Sequence, residues 1–354
     1  MSDVEIGTMS GMKPLDHRVF LAVTIDTEED EWGGYALNTF TLENIRRIPA
    51  LQDLFDKYGM LPTYLVTYPV ASGEESVKIL GEIAEDGRCE IGTHPHPWNT
   101  PPAEEERNER NSFINNLPPG LQFRKISTLH ATIRKNFHVT PTSYRSGRWG
   151  FSGEVARNLS RLGYKVDSSL IPYTDWSEYN GPDYSFLSAK PRALIPAGSG
   201  DASDESLLVE VPPSVGYLQG DQEECNRLYY RILRSRLKHL SVIGLLDRLK
   251  LLNRVCLSPE ISNGRDMIHL ATRMLKNGFK VLNLFFHSCS LLENPSPFIR
   301  TRTDEEEFLR RIEMVLAFAR DNNIHPIRLS DAGKYLWNHL EETPSGNPTE
   351  SLSG

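Results

Sequence analysis

Thiols are scarce in this chain. Four cysteines, Cys89, Cys225, Cys256 and Cys289, occur among 354 residues and none stands in a CxxC pair. The spacing therefore outlines no disulfide framework, and a reducing cytoplasm is the expected compartment. Long apolar runs are missing as well: nothing approaches the roughly 18 residues that a membrane-spanning helix needs, so any membrane contact should be peripheral. No basic stretch leads into an apolar segment near Met1, so no secretory signal is expected. Positive charge is in deficit, with 39 Lys and Arg against 47 Asp and Glu for a net −8. That balance argues against wholesale binding of nucleic acid, which is driven by cations neutralising phosphates.

What is present is a globular composition, 39% hydrophobic and 24% charged with 5 Trp and 13 Tyr. The length accommodates one large α/β domain or two ordinary ones. Beyond a polar leader at 1–17, residues 19–25 are β-branched and nearly all apolar, the pattern of a strand buried on both faces, and the run stops at Asp26. A helix follows, with Pro49 near its first turn, Leu51, Leu54 and Phe55 at helical spacing, and Gly59 beyond its end. The alternation continues with a strand at 63–67, a helix over 75–85, a short strand at 89–92, a long polar helical insertion over about 103–136, and a strand at 142–144. Ser152 caps a helix that ends at Gly163, 164–166 is extended, and 206–211 is a strand before Pro212 and Pro213. Late in the chain 280–286 is apolar, and Thr303 with Glu306 makes a capping box ahead of a helix to about Asn322.

Strands alternating with helices of roughly 10 to 15 residues predict βαβ units and a parallel sheet, and about seven such units favour closure into a barrel. One α/β domain is expected over 18–341, with insertions near 103–136 and 221–262. The final stretch, 342–354, is Pro, Gly, Ser and Thr with little to bury, and is expected to be disordered.

The unusual polar residues fall just beyond strands: Asp26, His94, Arg145, Asp167 and His287. In parallel barrels those ends and the loops after them build the active site. In the first cluster, Asp26 and Glu28 share a face if the strand persists, and two such carboxylates repel unless a cation or proton lies between them. In the second, His94 and His96 each precede a proline, which favours extended backbone and aims both imidazoles one way, a metal-ligand spacing. In the third, Arg145 enters a glycine-flanked loop where it can anchor a carboxylate such as Asp26, whereas Arg148 reads as a surface residue. In the fourth, His287 ends an apolar strand.

In order and over most of the chain, these motifs resemble the polysaccharide deacetylases, carbohydrate esterase family four. Thr24-Ile-Asp26 looks like the family's first motif and Glu90-Ile-Gly-Thr-His94 like the second. Tyr144-Arg145 with Gly150 looks like the third, and Asn283-Leu-Phe-Phe-His287-Ser288 like the last. The run from Gly163 to Ser169 is similar to the segment that supports the catalytic histidine. The resemblance implies a distorted (β/α)7 barrel with helical insertions. It also implies a divalent metal, zinc first with nickel, cobalt or manganese as options, on Glu28, His94 and His96. Asp26, oriented by Arg145, would be the base, and His287, supported by Asp167, would protonate the departing amine. Two departures stand out. Many members follow the first aspartate with a second, where this chain has Thr27, and place their second histidine where Trp98 stands here.

The expected activity is removal of an acetyl group from an N-acetylated sugar or polysaccharide precursor. Hydrolysis of another small amide, a ureide or formamide, and a non-catalytic carbohydrate-binding relative stay open as alternatives. Between Cys225 and Arg254 eight Lys and Arg face Asp247 alone, interleaved with leucines. This basic amphipathic region, 227–254, suits either a membrane-surface or lipid-linked-sugar contact, or leucines packed on the barrel or on another subunit of a homo-oligomer.

Overall fold

The computed structural model describes residues 18–35, 40–194, 208–236 and 242–340. The expected leader at 1–17 and tail at 342–354 lie outside them. The apolar run at the start forms β1 (Phe20–Thr27), and Pro49 sits in the first turn of α1 (Ile48–Lys57), which gives way to Gly59 in the left-handed region. The chain continues through β2 (Thr63–Val66), the short α2 (Tyr68–Ser72), α3 (Glu74–Glu85) and β3 (Glu90–Thr93). Next come α4 (Pro119–Phe137), β4 (Ser143–Tyr144), α5 (Gly153–Arg161), N-capped by Ser152 as expected, and β5 (Val166–Asp167). A small hairpin of β6 (Thr174–Asp175) and β7 (Asp183–Tyr184) precedes β8 (Arg192–Leu194), β9 (Leu208–Glu210) and β10 (Val215–Tyr217). The remainder is α6 (Gln222–Leu233), α7 (Val242–Arg248), β11 (Arg254–Cys256), α8 (Gly264–Lys276), β12 (Val281–His287), α9 (Arg302–Asp321), β13 (His325–Ile327) and α10 (Leu329–Leu340).

Seven strands run parallel in the order β12-β1-β2-β3-β4-β5-β9; β8 adds antiparallel to β9, and β13 runs parallel to the start of β1. The sheet curls far enough that the chain beyond β9 meets β12 again. There Ser214 N donates to Asn283 O at 3.1 Å and Asn283 N to Ser214 Oγ at 2.9 Å. The result is a distorted barrel closed by single bonds rather than by a full ladder, the fold class expected from the sequence.

Period-2 geometry sorts β1 into two faces. Phe20 and Ala22 join Leu65, Val166, Val209 and Val281 in the barrel interior, while Leu21, Val23 and Ile25 pack outward with Phe55, Phe286, Phe308 and Leu316 beneath the helices. The same alternation turns Thr24 and Asp26 inward. At the opposite end α10 closes the base of the barrel with Leu329, Ala332 and Leu336. Sequence reading anticipates neither α10 nor β13, because Gly333 interrupts the helical pattern and Pro326 the strand.

Two local expectations are corrected. The stretch 103–118 is loop with two single 3-10 turns, and the helix starts only at Pro119, because 103–112 offers no apolar face and the two prolines 118 and 119 set the helix start. Residues 301–306 hold two overlapping Thr-x-x-acid pairs, and α9 uses the earlier one: Thr301 Oγ1 accepts from Asp304 N at 3.2 Å and Asp304 Oδ2 from Thr301 N at 3.0 Å. In the basic region Ile232 and Leu252 are buried and Leu246 packs against the core, while Leu228, Leu233, Leu245, Leu249 and Leu251 are exposed. Among the described residues no helix is long and apolar enough to cross a membrane.

A Cβ on Gly333 would lie 2.1 Å from Val166 Cγ2, so the base plug tolerates no side chain there. Gly333→Ala is expected to destabilise the protein by about 1–3 kcal/mol in urea unfolding, despite alanine's better helix propensity. An unchanged or raised midpoint would contradict this packing.

Candidate active site

Strand register delivers the site. Asp26 is the partner of His287 across the parallel β1–β12 ladder, and both stand at the carboxyl end of the barrel. Arg145, immediately after β4, is fully buried and reaches across the interior. Its Nη1 donates to Asp26 Oδ1 at 2.7 Å, Nη2 to Thr24 Oγ1 and Ser168 Oγ at 2.8 Å each, and Nε to Ser168 O at 3.0 Å. Thr24 in turn donates to Asn283 Oδ1 at 2.8 Å. Burial alone would raise the Asp26 carboxyl, but the Arg145 charge, with His94 and His287, outweighs it and leaves Asp26 below its ordinary value. Asp26 is thus held as a carboxylate at a buried position on the cavity wall, with Arg145 anchoring it.

The two X-Pro steps act as read. His94 Nδ1 lies 2.9 Å from the Arg145 carbonyl and donates to it, which turns Nε2 toward Glu28 Oε2 at 3.7 Å. His96 Nδ1 lies 2.8 Å from Glu29 Oε1, leaving its Nε2 at 3.2 Å from the same Glu28 oxygen. One donor atom each from Glu28, His94 and His96 therefore lie within 4.8 Å of one another, all three residues buried. Two imidazole nitrogens and one carboxylate oxygen, each imidazole held by a second hydrogen bond, could hold a divalent metal ion. Burial drops the His94 imidazole to about 3, so it is neutral and its lone pair free. Burial also opposes charge on His96, but Glu29 and Glu28 outweigh it and raise it to about 10. Asp30 is excluded as a ligand because it accepts from Glu43 N at 2.7 Å and Asn44 N at 3.0 Å, capping the turn that follows. Cys289 is buried, its thiol pushed well up by burial and donating to Glu28 Oε1 at 3.8 Å, so it is no nucleophile.

The support of His287 is a correction. Asp167 does not reach it: Asp167 accepts from Ser169 Oγ at 2.6 Å and Ser169 N at 3.1 Å, and it is paired with Glu210 across the β5–β9 ladder. Burial, then the Asp167 charge, pushes Glu210 well up, so Glu210 keeps its proton and shares it in a hydrogen bond to Asp167. That carboxyl pair is a structural clasp between strands. The partner of His287 is Glu260, which accepts from the imidazole Nδ1 at 3.0 Å and from the His287 backbone N at 3.1 Å. Burial opposes protonation of His287, but Glu260 wins and lifts it to about 9. Its Nε2 stands 3.7 Å from Asp26 Oδ2.

These groups open into a cavity of about 300 Å³. Trp32, Tyr35, Trp149, Trp176, Phe285 and Phe298 line it, and Trp32 meets His287 edge-on with ring centroids 4.7 Å apart. Arg148, expected at the surface, also lines it. Arg148 and Trp149 hold φ of 52° and 62°, the left-handed region that costs a non-glycine residue on the order of 1–3 kcal/mol and that clusters at functional sites. Gly147 has no such freedom of size: a Cβ there would sit 2.4 Å from His96 Cδ2.

Glu29 and Glu260 carry no role in the sequence reading. Glu29 had a signal, as the middle of the acidic run after β1. Glu260 had none, since it follows the antiparallel β11 rather than a barrel strand. Lys125 is likewise unforeseen: its buried ammonium donates to the carbonyls of Pro97, Thr100 and Pro102 at 2.9, 2.6 and 2.7 Å, fixing the loop that carries His96.

No family model and no curated protein matches this sequence. Among solved structures, the chain is similar to a protein described as a polysaccharide deacetylase from Mycobacterium smegmatis, at TM-score 0.54 and 15% identity over 98% of this chain and 100% of the other. It is also similar to a protein described as a glycoside hydrolase/deacetylase from Parabacteroides distasonis, at TM-score 0.61 and 13% identity over 95% of this chain and 75% of the other. Identity this low speaks for architecture alone, and on that ground the chain has the distorted-barrel fold of the polysaccharide deacetylases.

Proposed function

We propose that the protein is a metal-dependent hydrolase that removes the acetyl group from an N-acetylated sugar, a precursor or repeat unit of a cell-surface polysaccharide. The observation that carries this reading is the meeting, in one cavity, of an ionised Asp26, the Glu28–His94–His96 donor set and a His287 held protonated by Glu260. The fold shared with deacetylases supports the same reaction class. A bound divalent ion, zinc foremost, would polarise the acetamide carbonyl and make its water more acidic.

The chain's own residues supply the proton traffic. Asp26, kept charged by Arg145, takes a proton from the attacking water. His287 gives one to the departing amine nitrogen from the neighbouring strand. Ser288 Oγ accepts the Glu28 backbone N–H at 3.0 Å and Glu29 holds the His96 ring, which keeps the donor atoms of Glu28 and the two imidazoles convergent. Trp98, stacked on His96 with centroids 4.1 Å apart, screens that imidazole from water.

Purified protein is expected to take up close to one equivalent of zinc, nickel, cobalt or manganese, and His94→Ala or His96→Ala to lose it in metal analysis. A protein that binds none of these ions and shows no thermal shift with them contradicts the reading. Acetate, formate and ammonia release, assayed separately, separates a sugar deacetylase from a ureide or formamide hydrolase. Asp26→Asn and His287→Ala should each lower kcat by roughly 10²- to 10⁴-fold, and activity within a few-fold of wild type removes the residue from its role.

The role of Glu260 has its own signature. A protonated His287 is present below about pH 9 and is lost as pH rises through that value. Glu260→Gln removes what raises it while burial remains, so the alkaline limb of the rate profile is expected to move to lower pH. An alkaline limb that stays in place assigns that limb to another group.

A further inference from the structure

Arg148 takes no part in the chemistry above, yet it faces the same cavity. Its guanidinium lies 4.5 Å from the Phe113 ring centroid and 5.5 Å from that of Tyr35, and Nη1 donates to Ser112 Oγ at 2.6 Å. Among the described residues no carboxylate forms an ion pair with it, and the one whose charge it feels most is Glu109 of the preceding loop, not an acid of the cavity. One donor goes to Ser112, so most of a five-donor fork remains for a ligand. Arginine keeps its charge under such partial burial, and a desolvated fork between aromatic rings is matched by a planar or tetrahedral oxyanion.

The rest of the cavity selects where an anion can go. Asp26, Glu28, Glu29, Glu31 and Glu260 all line it, so a negative group near the catalytic end meets carboxylates, whereas one beside Arg148 meets an unmatched cation. A volume of about 300 Å³ stands at the small end of ligand pockets, room for a sugar residue rather than for several.

We infer that the sugar carries an oxyanion of its own, a carboxylate or a phosphate ester, and that Arg148 binds it so that the acetamide at the other end of the ring meets Asp26 and His287. The site thereby reads charge as well as the acetamide, and the charge sets which way round the sugar enters. This deepens the deacetylase reading and rests on it for the reaction, though not for the binding.

The test compares the methyl glycoside of N-acetylglucosamine with N-acetylglucosamine 6-phosphate and with 2-acetamido-2-deoxyglucuronic acid. For the metal-loaded wild type, kcat/KM for at least one anionic sugar should exceed that for the neutral one by about ten-fold or more, the size of a charge-assisted hydrogen bond, and the two anionic arms tell phosphate from carboxylate. Arg148→Gln should bring the ratio close to unity, chiefly through KM, and Arg148→Lys should restore part of it. Ser112→Ala supplies the control: if Arg148 merely holds the loop, Arg148→Gln and Ser112→Ala will depress all three sugars alike, and the inference falls. It falls equally if the wild type prefers the neutral sugar or if the preference survives in Arg148→Gln. Calorimetric titration of the same sugars into metal-free protein reads the subsite without turnover. Tighter binding of an anionic sugar to wild type than to Arg148→Gln, with no acetate released from any sugar by the metal-loaded protein, would sink the deacetylase reading and leave the anion site standing.

Discussion

The site depends on one buried cation. Arg145 is fully enclosed and binds β1 through Asp26 and Thr24 and the chain after β5 through Ser168, while its carbonyl orients His94. A charge in that position is tolerable only because each of the three nitrogens has a partner, and breaking such a pair costs about 3–5 kcal/mol through the group left alone. The same contact decides chemistry: without the guanidinium, burial would carry Asp26 toward its neutral form. Stability of the barrel mouth and the ionisation of its base are one interaction seen twice.

Around that point, one set of residue types is driven to different states by its neighbours. Asp26 is held charged by Arg145, whereas Glu210 is held neutral by burial and by Asp167. His94 is neutral because it is buried with no carboxylate on its Nδ1, and His287 is cationic because Glu260 is on its own. Acid, base and ligand are thus set by environment, the pattern by which a single fold runs proton donation and proton removal at one pH.

How far the sequence foretold this follows from what each signal encodes. The rim was legible because buried parallel strands are apolar on both faces, so a polar residue that ends one, as Asp26, Arg145 and His287 do, stands out. The prolines after His94 and His96 were legible for the same local reason. Partnerships across the barrel were not, since spacing along the chain says nothing of which carboxylate lies beside which imidazole. Asp167 follows a strand and looked like the support for His287, while Glu260, on a loop beyond an antiparallel strand, supplies it. Arg148 looked like a surface residue because only its left-handed backbone, invisible in the sequence, turns it into the cavity.

The order of strands carries a consequence for how the protein is made. β1 pairs along one edge with β12, drawn from late in the chain, and along the other with the neighbouring β2 and the late β13, and Thr24 and Asn283 bond across a separation of 259 residues. Until the ribosome has delivered that distant stretch, an eight-residue, largely apolar strand waits with one edge unmatched. Assembly is therefore governed by long-range closure, the kind of pairing that folds slowly and leaves strand edges open to misassociation.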